Sequence, residues 1–237
     1  GIKITKGVKV SKIQSMKQNA KVYLEKKTSD EVIKVEKVLL AVGVTGNINN
    51  LGLEDLGIET EAGAIKTDNY NRTNIENIYA IGDVCGPPWL AHVASAQGHL
   101  AAEHSAGLNV NPIDYSNIPG CTYCQPQVGS LGMTEEQAIS SGFKVKVGRF
   151  SFQASGKAMA TGNTIGFVKL IFDEKYGELL GAHIVGSEAT EMIAELGMAK
   201  ALESTWDDLS MTVHAHPTLS EAIMEAAMDA QGHSIHQ

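Results

Sequence analysis

At 237 residues, the chain has room for one large domain or two ordinary ones. Hydrophobic residues make up 43% and charged residues 19%, which supports a packed core and argues against long disorder. A net charge of -8, spread along the chain, argues against general nucleic-acid binding, which needs basic surface. Cys85, Cys121 and Cys124 are too few for a disulfide-stapled secreted fold, so a reducing cytoplasm is the expected compartment. No apolar run approaches the ~20 residues of a membrane span, and no membrane partner is expected. The sequence opens on Gly1 and enters a strand-like segment at once, which reads as a piece of a longer protein.

Residues 1–46 read as strands: KGVKVSKI, AKVYLEKK and EVIKVEKVLLAVG carry alternating apolar positions and β-branched residues. The run VLLAV (38–42) is continuous and apolar, as suits a buried parallel strand ending at Gly43. Residues 47–77 are loop-like, and IYAIGD (78–83) predicts a second short buried strand. A helix of small residues is expected over about 91–106. Asn, Pro and Gly near 107–119 suggest a domain boundary. Beyond it the pattern predicts strands at 120–124 and 127–132, and a helix at 134–141. Further strands are expected near 143–152, 165–173 and 178–186, and helices at 189–203 and 218–230. Strands clustered with helices on one side imply an α+β sandwich. In the last helix Leu219, Ile223, Ala226, Ala227 and Ala230 form a core stripe. Met224 and Met228 fall opposite, a face suited to another subunit.

Several segments could carry chemistry. In HAHPTLSE (214–221), Pro217 favours an extended His216, and Thr218 with Glu221 has the T-x-x-E spacing of a capping box. The same spacing places a carboxylate near an imidazole, which orients it and makes it more basic. Spacing alone leaves both readings open. Asp83 sits just past a strand end, where open α/β sheets bind ligands, although a turn or cap Asp looks the same. The helix start at WLAH (89–92) offers free N–H groups to an anion, or is simply a packed helix in which His92 is structural. Gly43 allows close approach of a nucleotide but is a lone glycine. Neither G-x-G-x-x-G nor G-x-x-x-x-G-K-[ST] occurs. The C-x-x-C of Cys121 and Cys124 reads as plain strand residues, with no second pair for zinc, and no metal site is expected. His233 and His236 read as part of a loose tail.

The order of these elements is more informative than any one of them. AVG (41–43), NIYAIGDV (77–84), WLAH (89–92), VGSLG (128–132), TEEQA (134–138), LLGAHIVG (179–186), EMIAE (191–195), DL (208–209) and HAHPTLSE follow in series. Over nearly the whole chain this series resembles the C-terminal half of the dihydrolipoamide dehydrogenases, flavoproteins of the pyridine nucleotide-disulfide oxidoreductase family. The resemblance implies an α/β remnant of nucleotide-binding domains followed by an α+β interface (dimerisation) domain. Residues 1–46 would close the NAD-binding domain, residues 47–116 would return to the FAD domain, and residues 117–237 would form the homodimer interface. It implies FAD and NAD as cofactors, with Gly43 near the nicotinamide nucleotide and Asp83 on the ribityl chain. Trp89, Leu90, Ala91 and His92 would lie along the flavin. His216, backed by Glu221, would act as acid/base toward dihydrolipoamide and a redox disulfide of the partner subunit, in service of a lipoyl carrier. The family's C-x-x-x-x-C pair and glycine fingerprints are not in this sequence, and Val44-Thr45-Gly46 stands where many members have Arg-x-Pro. Two alternatives remain: a non-catalytic dimerisation module of the same fold, or a flavin-dependent reductase of another disulfide.

Overall fold

The computed structural model describes residues 1–26 and 29–236. Strands β1 (Lys9–Ser15), β2 (Ala20–Glu25) and β3 (Glu31–Val35) pair antiparallel in that order. Alternation in AKVYLE turns Ala20 and Leu24 to the buried side. Lys27, in the predicted strand AKVYLEKK, lies outside the described residues.

The next expectation fails. Residues 38–42 form no strand, and Leu39 and Val42 are each 91% exposed. A parallel strand exists only through its neighbours and the helices covering its faces. Among the described residues no strand pairs with this segment. IYAIGD departs in the same way. Tyr79 makes an isolated bridge to Arg72, Ile81 is exposed, and Gly82–Cys85 form a 3-10 turn. Around it, α1 (Leu53–Leu56) and the hairpin β4 (Thr60–Glu61) and β5 (Ala64–Ile65) build a small core from Leu53, Ile58, Ile65 and Ala80. Then comes α2 (Ala91–Ser105), whose Val93, Gln97, Leu100 and Ala101 are buried.

The second half is built on one antiparallel sheet. Its strands are β6 (Gly120–Thr122), β7 (Gln127–Gly132), β8 (Val145–Ser151), β9 (Phe167–Asp173) and β10 (Leu179–Gly186), in spatial order β6-β7-β10-β9-β8. Period-2 alternation divides the residues between two faces. Val168, Leu170 and Phe172 join the main core, while Ile171 joins Ala138 and Leu180 on the other side. Helix α3 (Glu135–Ser140) covers that second side, opened by a capping box between Thr134 and Gln137.

The main face carries α5 (Ala189–Ala201) against β7 and β10, and α7 (Glu221–Ala230) against β8 and β9. The predicted stripe Ala189, Met192, Leu196 and Ala199 is buried on α5, and Ile223, Ala226, Ala227 and Ala230 are buried on α7; Leu219, the fifth residue of the second stripe, precedes the helix and is only partly buried. Each helix crosses the sheet where a strand lacks a side chain. A Cβ on Gly129 would meet the Ala189 carbonyl at 2.6 Å, and one on Gly148 would overlap the Ala226 carbonyl. Sequence reasoning did not anticipate two short helices, α4 (Gly156–Thr161) and α6 (Trp206–Met211). The second has a Thr205–Asp208 capping box and leads directly into the segment that carries His216.

Candidate active site

The α6–α7 connection, residues 212–220, has no regular structure, so side chains must hold it in place. His216 Nδ1 lies 2.9 Å from Glu221 Oε1, while Glu221 Oε2 accepts the Thr218 N–H at 2.8 Å. A carboxylate only accepts, so Nδ1 carries the proton and a neutral ring keeps its Nε2 lone pair free. The His216 side chain is 77% exposed, which leaves Nε2 open to an incoming proton donor. Partial burial works to raise the Glu221 carboxyl. Hydrogen bonds from Thr218 and His216, with the charges of His216 and His214, outweigh it and hold the group below its ordinary 4.5.

The expected capping box is only half formed. Thr218 Oγ1 donates to the Ala215 carbonyl at 2.7 Å, and α7 begins three residues later, with Ser220 as its cap position. Ser220, not Thr218, stands at the cap position, and no side chain caps α7 there. Glu221 still reaches back to the Thr218 N–H, which ties the carboxylate to the segment bearing His216. A hollow of about 250 Å³ beside the pair is bordered by Phe150, Met159, Met224, Glu225 and His236.

Sequence reasoning missed two further pairs. His214, with 5% of its side chain exposed, bonds to Glu195 on α5 at 2.7 Å and to the Thr212 carbonyl at 2.9 Å. The His-x-His spacing was a signal for His214, but Glu195 lies too far along the chain to be read as its partner. Buried Glu225 accepts the Ile235 and His236 N–H groups and bonds to His236 Nδ1 at 2.6 Å. Residues 235 and 236 therefore dock on α7, and the expected loose tail is corrected by this buried carboxylate, which needs partners.

The other candidate residues gather elsewhere. Asp83 is exposed in its 3-10 turn, and the turn is tied to α2 by the Gly82 N–H donating to Gln97 Oε1 at 2.7 Å. Gln97 Nε2 in turn donates to the Tyr115 hydroxyl at 2.8 Å. Leu90 precedes Ala91 at the start of α2 with no side-chain cap, so helix N–H groups there are open to an acceptor. A cleft of about 570 Å³ runs past Thr45, Gly46, Cys85, Gly86, Pro87 and Trp89. His92 Nε2 lies 3.1 Å from the Pro119 carbonyl, a contact that holds the helix start against the second half. Gly43 has a left-handed φ of 107°, and a Cβ there would meet nothing within 4 Å among the described residues. The cleft beside Trp89 and the hollow beside His216 and Glu221 share no lining residue.

Cys121 lies in β6, but Cys124 falls past the strand end and is exposed, so the two are not both strand residues as expected. A strand this short stops before the bend at residue 124. The three cysteines are free thiols. Burial pushes Cys85 up to about 11, and burial with the Glu191 charge raises Cys121. Among the described residues no group of three His, Cys, Asp or Glu side chains is arranged to hold a metal ion, and no helix is long and apolar enough to cross a membrane.

Comparison with known proteins accounts for this arrangement. Residues 1–98 match the model of the pyridine nucleotide-disulphide oxidoreductases, and residues 118–227 match that family's dimerisation domain. The chain belongs to the pyridine nucleotide-disulphide oxidoreductases. It is 50% identical over 236 residues to a dihydrolipoyl dehydrogenase of Rhizobium etli, a match over 98% of this chain and 49% of that protein. It is 42% identical to a dihydrolipoyl dehydrogenase of Bacillus subtilis, over 100% of this chain and 50% of that protein. The chain thus spans about half the length of the curated relatives it matches. Among solved structures it resembles LpdA of Mycobacterium tuberculosis, with a TM-score of 0.88 and 26% identity over 96% of this chain and 49% of that one. It also resembles the HOCl-induced flavoprotein disulfide reductase RclA of Escherichia coli, with a TM-score of 0.83 and 25% identity over 92% of this chain and 50% of that one. Within the oxidoreductase family, the mixed α/β first half and the five-stranded α+β second half are the expected fold class.

Proposed function

We propose that this chain supplies the acid/base half of a flavin-dependent oxidoreductase that oxidises dihydrolipoamide to lipoamide with NAD as acceptor. The observation that carries the reading is the hydrogen bond between His216 Nδ1 and Glu221, which leaves an exposed imidazole with Nε2 as its free basic atom. Nε2 takes the proton of a substrate thiol, and the thiolate attacks a disulfide sulfur. A substrate–enzyme disulfide forms, the enzyme S–S bond breaks, and the released sulfur leaves as thiolate. The second substrate thiol, deprotonated in turn, attacks the mixed disulfide, which leaves oxidised lipoamide and a reduced dithiol. None of Cys85, Cys121 and Cys124 has the C-x-x-x-x-C spacing of the family's redox pair, so that disulfide belongs to other residues, those of the partner subunit in a homodimer built on residues 117–237.

The residues present suit an FAD edge. The exposed Asp83 carboxylate can accept ribityl hydroxyls, the uncapped start of α2 offers N–H groups to developing negative charge, and half-exposed Trp89 borders the cleft. Leu90, Ala91 and His92 would lie along the flavin with Trp89, and Gly43 on the nucleotide side in residues 1–46, with residues 47–116 returning to the FAD domain. Bound FAD would accept two electrons from the dithiol and pass them to NAD. A lipoyl carrier is the natural partner and the cytoplasm the natural compartment.

In the flavoprotein that contains this chain, His216→Ala should lower lipoamide-dependent NAD reduction by about 10²–10⁴-fold while the flavin absorbance stays. Turnover within a few-fold of the parent would refute the assignment.

A further inference from the structure

We infer that His214 is a positioning residue for this site, clamped between Thr212 and Glu195 so that the loop presents the His216 ring with Nδ1 on Glu221 and Nε2 outward. The inference rests on the acid/base role proposed for His216, and it concerns what holds that ring in place.

Among the described residues, no backbone hydrogen bond from residues 213–217 reaches another element. Thr218 bonds within the segment, to the Ala215 carbonyl, and to Glu221 at the helix start. The tie to a different part of the core is the side chain of His214, two residues before His216, bonded to Glu195 on α5. That helix is firmly seated, with Met192, Ile193, Leu196 and Ala199 buried against the sheet. The ring of His214 is itself buried, so its contacts are not shared with bulk solvent.

The chemistry of the clamp is specific. Both partner oxygens, the Thr212 carbonyl and the Glu195 carboxylate, are acceptors. A neutral imidazole has one N–H and satisfies one of them. Both bonds form together only when the ring carries two N–H groups against ionised Glu195, or when the shared proton sits on Glu195. A charged partner also makes the bond stronger than a neutral one. The titratable groups nearby are Glu188, Glu191 and Lys157, which line a cleft with Glu195, and Glu221 and His216, which border a second hollow. A positive charge on the His214 ring would lower the Glu221 carboxyl, so the clamp is linked to His216 and Glu221 electrostatically as well as through the chain.

The test uses the complete flavoprotein with His214→Phe, Glu195→Ala and Glu195→Gln, and His216→Ala in parallel. His214→Phe and Glu195→Ala break the clamp. Each should lower kcat/KM for dihydrolipoamide by about 10–100-fold, the scale of a misplaced catalytic group, with the loss mainly in kcat and a shifted acidic limb of the pH profile. Glu195→Gln keeps both bonds, since its amide can donate to Nε2 of a ring whose Nδ1–H stays on Thr212, and should recover most of that loss. If His214→Phe does not fold, Glu195→Ala decides. Wild-type kcat/KM with an unchanged profile in Glu195→Ala would overturn the clamp while an inactive His216→Ala leaves the acid/base reading intact. An active His216→Ala would remove both. Equal losses in Glu195→Gln and Glu195→Ala would also overturn it, because the geometry would then not matter.

Discussion

Replacing Glu221 by Gln probes the site with little change in shape. Glu221 accepts from two donors at once, the Thr218 N–H on one oxygen and His216 Nδ1–H on the other. Glutamine has one oxygen and one amide nitrogen. If the oxygen keeps the Thr218 N–H, the amide faces His216 and donates to Nδ1, and every hydrogen bond survives. That arrangement requires the other tautomer of His216, with the proton on Nε2, the atom proposed to accept a thiol proton. The opposite orientation sets the amide against the Thr218 N–H, donor against donor, so the first should prevail. Stability should change by no more than about 1 kcal/mol, the net worth of one exchanged hydrogen bond. The rate should fall by about 10²–10⁴-fold, since a base presented in the wrong tautomer is no base. That ratio corresponds to roughly 3–5 kcal/mol of transition-state stabilisation. Urea unfolding and kcat/KM for dihydrolipoamide on the same preparation separate the two quantities. A variant destabilised by several kcal/mol yet active within threefold would refute the tautomer argument.

The pH dependence of stability tests the same carboxylate. Its folded pKa lies below 4.5, so as pH falls the unfolded chain takes up the proton first. The stability it contributes is complete above about 4.5 and is lost as pH falls through the lower folded value; the gap between wild type and Glu221→Gln should close over that acidic window in urea titrations, and a gap that widens there would refute the sign. Gly148→Ala would drive a methyl into the Ala226 carbonyl and push α7 off the sheet, so the urea midpoint should fall by the equivalent of about 1–3 kcal/mol; an unchanged midpoint would mean that α7 does not press on β8. Cys85, raised from 9.0 to about 11, should carry about 100-fold less thiolate than an ordinary cysteine at pH 8 and alkylate correspondingly slowly, which peptide mapping after iodoacetamide can follow. Glu225→Ala removes the acceptor for the Ile235 and His236 N–H groups and should expose the segment after α7 to carboxypeptidase; equal resistance in both proteins would show that Glu225 does not hold it.

How much was legible depended on how local the information was. The second half could be read closely because its strands and helices carry their own periodicity. Leu219 aside, the predicted stripe of α7 is buried, and β7 occupies the predicted residues 127–132. The same local logic failed at VLLAV and IYAIGD. There the apolar run was recognised, but strand pairing is a property of two segments: among the described residues no strand pairs with VLLAV, and IYAIGD has only the isolated bridge from Tyr79 to Arg72. His216 and Glu221 were legible as a pair because they lie only five residues apart at a helix start.

The sequence alone thus determined the pairing of His216 with Glu221, the alternation that builds the five-stranded sheet, and the order of motifs that marks the oxidoreductase family. Only the tertiary structure decided that His214 is held by Glu195 from another helix and that His236 docks on buried Glu225. The difference is one of range. Periodicity and capping are set within a few residues, whereas a side chain's partner across a core is set by how whole helices pack, which no window of sequence contains.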